Sequence, residues 1–391
     1  MSSNKHLKKR ACEAIDLLSS RLIEVSHELH RNPETAFQEF KSSEFLCSVS
    51  EKAGLRMQRG AYGLETAFSS DFELARPGPR VAVISEYDAL PDVGHACGHN
   101  VIAATGLGAA LALHSVKDEL AGRVRYLGTP AEERGCGKEL MARNGAFDDV
   151  DVAMMIHPFH VNAKALRTMF IGEAVVTYTG RPGHALLGPQ TTRNALDAVV
   201  IAYQAVGALR QHLKPGENIN AVITSGGSVP NVFPLRTTAH CFVRAATAED
   251  LSVLKSRVAN CFAAGAAATG CEVEVRWSDA DYQPMKINAP LADVYERNAE
   301  AFDHTFTDYM SLPIAGSDMG NVSQRVPSLH ALICCAPAEA ILHTPQFAAC
   351  AASSDGDRAV LEGAKLLAMT AIDFLTDEGL RSAIAQSHKV A

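Results

Sequence analysis

Apolar runs of strand length alternate with helical patterns over residues 15–167. Arg80–Ser85, Arg123–Leu127 and Asp151–Ile156 read as strands, and Val101–His114 and Gly137–Asn144 as helices between them. This alternation predicts an α/β fold, with a mostly parallel sheet carrying helices on both faces. The pattern changes over 172–277. Glu173–Thr179, Ile219–Thr224, Thr237–Arg244 and Cys271–Trp277 alternate with period two, while Asn194–His212 and Ala248–Ala267 carry apolar residues at a 3–4 spacing. The order β-α-β-β-α-β is the ferredoxin-like, split arrangement and predicts an inserted second domain. We therefore expect one domain from 1–168 and 285–391 and another from 169–284. Leu329–Cys334 reads as a buried strand of the first, and Asp357–Leu375 as its closing amphipathic helix.

Composition narrows the function classes. A chain of 391 residues with 47% apolar content has enough material for two cores. A net charge of −8 argues against a general nucleic-acid or membrane-surface binder. The ten cysteines are scattered, and the adjacent Cys334-Cys335 pair does not suit a disulfide framework. A reducing, cytoplasmic setting is expected. Lys5, Lys8, Lys9 and Arg10 precede no apolar stretch of signal-peptide type, because residues 11–30 read as an amphipathic helix. No apolar run approaches the roughly 20 residues of a membrane span.

The chemistry lies at the predicted strand ends. Gly94-His95-Ala96-Cys97-Gly98-His99-Asn100 sets a thiol and an imidazole two residues apart, a pairing that suits a transition metal. Pro130-Ala131-Glu132-Glu133, Ile156-His157-Pro158 and Leu342-His343-Thr344 add further ligand types. Five ligands exceed what one tetrahedral ion needs, which points to two ions sharing a ligand and so to hydrolysis. Asp88, Glu132, Glu133 and His157 each fall at or just after a strand's C-terminal end, the edge where open α/β sheets bind ligands. Of two adjacent glutamates, one can ligate while the other acts as general base. His184 sits in a Pro-Gly turn and Asn231 in a loop. Arg244 lies in a strand, where it needs a partner such as a substrate carboxylate. Gly316 and Gly320 flank Ser317 in a loop that permits close backbone approach.

Glu86-Tyr87-Asp88-Ala89-Leu90-Pro91 followed by Gly94–Asn100, with His30-Arg31-Asn32-Pro33-Glu34 and Leu342-His343-Thr344-Pro345, resembles the di-metal aminoacylase and exopeptidase superfamily. The branch it looks like holds hippurate, auxin-conjugate and p-aminobenzoyl-glutamate hydrolases, and within it the aminoacylase-1-like dipeptidases. The resemblance implies a di-zinc exopeptidase-like catalytic domain and a lid that forms a homodimer. It implies Cys97, His99, Glu133, His157 and His343 as ligands of two divalent ions, zinc or manganese, with Cys97 bridging. Glu132 would be the general base and Asp88 would orient a ligand. His184 would act at a partner's site on the oxyanion. Asn231, Arg244, Gly316 and Ser317 would face the substrate. The activity expected is hydrolysis of the amide bond of an N-acyl amino acid or dipeptide. Many members of the branch have Asp at the position of Asn100 and Asp-Met-Asp at 86–88, which weakens any transfer of hippurate or auxin-conjugate specificity. Two other readings use the same residues: deamination of an aromatic amine, and a catalytically silent metal-binding scaffold dimer.

Overall fold

The strand Arg76–Glu86 runs through the centre of the molecule's larger sheet, and its side chains alternate between two cores. Val81 and Val83 join one core, with Val124, Tyr126, Val152 and Met154 from neighbouring strands. Ala82 and Ile84 join the other, with Leu127, Ala153 and Met155. Each fully buried Val or Ile contributes roughly 1.5–3 kcal/mol. A strand buried on both faces has no polar positions to alternate, which is why these segments read as continuous apolar runs.

The computed structural model describes residues 2–390. The chain divides into two compact units, one running up to Thr168 and again from Pro284, the other spanning Met169–Gln283. The first unit holds a six-stranded sheet in the order Gln58–Arg59, Phe68–Glu73, Ala121–Thr129, Arg76–Glu86, Val152–Phe159, Ser328–Cys334. The last four strands are mutually parallel, and the first two add an antiparallel edge that the apolar pattern did not announce. Helices His99–Ser115 and Ser354–Thr376 pack into the first core. Gly137–Arg143 and Met319–Arg325 cover the opposite face. This is the α/β fold that the alternation predicts, with a mixed sheet.

The second unit is a four-stranded sheet in the order Glu272–Trp277, Phe170–Thr179, Arg236–Ala245, Asn218–Ser225, antiparallel throughout. Helices Ala195–Leu209 and Ala248–Thr269 share its core, with Val176, Tyr178, Cys241 and Val243 turned toward them. Side-chain caps start both helices: Asn194 accepts from Leu196 N and Thr247 from Asp250 N. The chain order is β-α-β-β-α-β, with a small ribbon, Gly183–His184 against Val232–Phe233, as an addition. Among the described residues, no helix is long and apolar enough to cross a membrane.

One close approach seats helix His99–Ser115 on the central strand. A Cβ on Gly106 would lie 2.4 Å from the Ile84 carbonyl oxygen, while Ser85 Oγ donates to the Ala103 carbonyl at 2.7 Å. Gly106→Ala should cost about 1–3 kcal/mol through overpacking. Urea unfolding of the purified variant checks this, and an unchanged midpoint would contradict it.

Candidate metal centre

The parallel register brings Glu86 beside Thr129, so the segments carrying Asp88 and Glu132-Glu133 leave the sheet side by side. His157 emerges from the next strand, opposite Leu332. The chain after Asp88 turns back at once, with Leu90 and Gly94 exchanging backbone hydrogen bonds of 3.0 and 3.1 Å. Gly98 then adopts φ +78°, and a Cβ there would meet Pro158 Cγ at 2.5 Å. Glycine at 98 therefore allows Cys97 and His99 to pack against the segment that carries His157. His343 joins from the far end of the chain, its N–H donating to the Ala96 carbonyl at 2.9 Å. Its φ of +65° is left-handed, and so is that of Ala131 at +61°. Neither residue is glycine, and such conformations persist only where the surroundings enforce them.

Hydrogen bonds fix the imidazole tautomers. His99 Nδ1 lies 2.8 Å from the Asp88 carbonyl oxygen and 3.1 Å from Asp88 Oδ1, both acceptors, so Nδ1 carries the proton. His157 Nδ1 donates to the Pro158 carbonyl at 2.8 Å. Both rings thus present the Nε2 lone pair for ligation. Asp88 also accepts from Glu133 N through Oδ2 at 2.9 Å, so one carboxylate orients two neighbouring segments.

Two sets of three donors result, Cys97–His99–His157 and Cys97–Glu133–His343, each with its atoms within 4.8 Å of one another. Cys97 belongs to both. Cys97 Sγ lies 3.5 Å from His157 Nε2, and His343 Nε2 lies 3.5 Å from Glu133 Oε1. Zinc bond lengths of about 2.0–2.3 Å at tetrahedral angles set ligand–ligand distances of about 3.3–3.6 Å, so these separations match edges of a coordination polyhedron. Glu132 Oε2 stands 4.0 Å from His99 Nε2 and belongs to neither Cys97 set.

The electrostatics favour bound cations. Glu86, Asp88, Glu132, Glu133 and Asp318 gather here, buried or nearly so, and the Lys138 ammonium pairs with Glu86 and Asp318. Burial pushes the Glu132 carboxyl well above its usual range, and Glu86, Glu133 and Asp318 push it the same way. Burial also raises Glu133 and the Cys97 thiol. Asp318 is pushed up to about 6 by burial, against the pull of Lys138. His157 is pushed down to about 4, again mainly by burial, and so is neutral at neutral pH. His99 Nε2 and Glu133 Oε1 are buried without a hydrogen bond. Orphaned donor atoms, excess carboxylate and the neutral His157 imidazole fit two divalent ions of the zinc or manganese kind. The site is that of a metal-dependent amide hydrolase.

The other predicted residues belong to none of these donor sets. His184 and Asn231 are exposed neighbours in the ribbon of the second unit, where Ala185 N donates to Asn231 O at 3.0 Å. Arg244 is half-buried on that unit's sheet. Gly316 is exposed, whereas Ser317 is buried and accepts from Met319 N through Oγ at 3.2 Å. His95 is buried with its ring 6.3 Å from that of His30 and joins none of the donor sets. Sequence reasoning missed Glu86, Lys138 and Asp318 as parts of the site. Lys138 did carry a signal, being a cation in the first turn of helix Gly137–Arg143, where the helix dipole disfavours it.

Fold and donor set together define a dinuclear metallohydrolase. The chain matches the model of peptidase family M20/M25/M40 over residues 82–372 and belongs to that family. It is 36% identical to the Xaa-Arg dipeptidase of Mus musculus over 98% of this chain and 92% of the relative. It is 27% identical to one of the polypeptides of the p-aminobenzoyl-glutamate hydrolase of Escherichia coli, over 96% and 94%. Among solved structures, an aminobenzoyl-glutamate utilization protein from Klebsiella pneumoniae aligns with TM-score 0.74 at 20% identity, covering 94% of this chain and 99% of the other. A dinuclear metal-binding peptidase of the M20 family from Bacillus subtilis aligns with TM-score 0.64 at 19% identity, covering 92% and 99%.

The shared thiol makes a specific prediction. Cys97→Ala should weaken both metal-binding events, and His157→Ala only one. Each loss should exceed the roughly 10–100-fold that removal of an outer-shell partner costs. Competition against a chromophoric chelator measures both constants.

Proposed function

We propose that this protein hydrolyses dipeptides and dipeptide-like N-acyl amino acids that carry a free carboxylate. The observation that carries this reading is the one sulfur common to two donor sets, with a further carboxylate, Glu132, beside them. Two bound divalent ions would supply Lewis acidity and a water acidic enough to attack at neutral pH. Glu132 takes the proton of the attacking water and hands it to the departing amine nitrogen. Cys97, His99 and His157 would hold one ion and Cys97, Glu133 and His343 the other, with Asp88 orienting His99.

Substrate recognition is assigned to the second unit. Arg244 Nη1 donates to Asn220 Oδ1 at 2.6 Å, and the guanidinium stands 5.6 Å from the Phe242 ring centroid. No carboxylate among the described residues pairs with it, so a substrate carboxylate is its natural partner. His184 is assigned to the developing oxyanion, Asn231 to the substrate, and Gly316 and Ser317 to a substrate loop. The Xaa-Arg dipeptidases of mouse and human, 36% and 34% identical, support a basic C-terminal residue as the preferred class. The second unit is also assigned the homodimer contact. Its edge strand Asn218–Ser225 leaves Val222 54% exposed, and helix Ala195–Leu209 leaves Val200 43% exposed. Ten free thiols support a reducing, cytoplasmic setting.

The test is amine release from a panel of Xaa-Arg and Xaa-Lys dipeptides, N-acyl amino acids and p-aminobenzoyl-glutamate, with zinc- or manganese-loaded protein and a chelated control. Metal-dependent cleavage is expected, strongest for the basic dipeptides. No cleavage by protein holding two ions would overturn the reading. Glu132→Gln should lower kcat by about 10²–10⁴-fold while both ions stay bound. Arg244→Ala should raise KM by about 10–100-fold, as expected for a lost charged hydrogen bond. It should leave C-terminally amidated substrates unaffected. Light scattering on the eluted peak checks the dimer.

A further inference from the structure

Behind the two Cys97 sets lies a third group that they do not use. Glu86, His99 and Glu132 also bring one donor atom each within 4.8 Å of one another. Glu86 ends the central strand and is completely buried. Its two oxygens are treated differently. Oε2 pairs with the Lys138 ammonium, which is itself completely buried and reaches Asp318 Oδ1 at 2.7 Å. Lys138 also donates its backbone N–H to Asp318 Oδ2 at 2.8 Å, so the lysine is gripped at both ends by one aspartate. Oε1 makes no hydrogen bond, and it stands 3.1 Å from His99 Nε2, the lone-pair nitrogen.

A buried carboxylate oxygen left without a donor is costly, and a lysine with no access to water is costly as well. Both are retained here, and together they leave a single buried carboxylate atom facing the ligating nitrogen of His99. The separation of 3.1 Å is close to the about 3.3–3.6 Å expected between two ligands of one ion. We propose that Glu86 is a further ligand of the metal centre, donating through Oε1 to the ion held on His99, and that Lys138 and Asp318 are the positioning residues that aim it. An ion on His99 would then have Cys97, His157 and Glu86 as its further donors, with Glu132 standing beside them as the general base. Lys138 takes up one carboxylate oxygen so that only the other is free to ligate.

The proposal rests on the two-ion reading above, and the experiment separates the two. Metal-free wild type, Glu86→Gln, Lys138→Met and Lys138→Arg proteins are titrated with Zn(II) against a chelator, then loaded with Co(II) for visible spectra. Thermal melts of the metal-free proteins report folding. Glu86→Gln should weaken one of two binding events by about 10–100-fold, leave the other within twofold, and change the Co(II) d–d bands. Lys138→Met should weaken the same event, and Lys138→Arg should restore most of it. If Lys138→Met fails to fold, Glu86→Gln carries the test, because it keeps the side chain's shape. Wild type binding fewer than two ions would remove the two-ion reading and the proposal with it. Two ions bound in wild type, with both constants and the spectrum unchanged in Glu86→Gln, would overturn the proposal alone.

Discussion

Carboxylates crowded at one end of a buried sheet are the constraint on which the rest of this structure depends. Glu86 with Asp88, Glu132 with Glu133, and Asp318 come from three separate segments, and each acid loses water on folding. Charge in such a place needs a partner or must be neutralised by a proton. The fold answers in two ways. Lys138 supplies a fixed cation to Glu86 and Asp318, and the two Cys97 donor sets offer seats to divalent ions. The parallel register, the left-handed Gly98 and the close seating of Gly106 all place donors to within the tolerance that metal coordination demands.

Much of this was legible in the sequence because it follows from local pattern. Strands buried on both faces give continuous apolar runs, and Arg80–Ser85 lies inside the observed Arg76–Glu86 for that reason. The split order of the inserted unit is visible because three of its four strands alternate between more and less buried positions. Cys97 and His99 stand out since they sit two residues apart at a helix start. The Phe68–Glu73 strand and the helices Met319–Arg325 and Pro345–Ala351 were not legible. Phe68–Glu73 carries only Phe68 and Phe72 as apolar residues and Met319–Arg325 only Met319 and Val322, too few to set a period. The pairing of Lys138 with Glu86 and Asp318 links positions up to 180 residues apart. No window along the chain contains it, because it exists only once strand, helix and loop are packed.

The two units divide the chemistry by type of residue. The first carries carboxylates, imidazoles and a thiol held by backbone and by one another. The second presents a half-buried arginine against Asn220 and an aromatic ring. A metal centre tolerates little displacement, and its residues sit on strand ends and at a helix start. Arg244 lies on a sheet face of the second unit, with His184 in its short ribbon and Asn231 beside that ribbon.

The insertion has a consequence for the order in which this molecule is made. Residues 169–283 form a sheet and core of their own, complete once Trp277 has been added. The first unit at that moment still lacks the strand Ser328–Cys334 and the helix Ser354–Thr376 that fills its core. It also lacks His343, more than 180 residues beyond His157. During synthesis, then, the inserted unit is finished while the half-built first unit still lacks one of its candidate metal donors. The nascent chain completes its candidate metal donor set only after the whole inserted unit has been made.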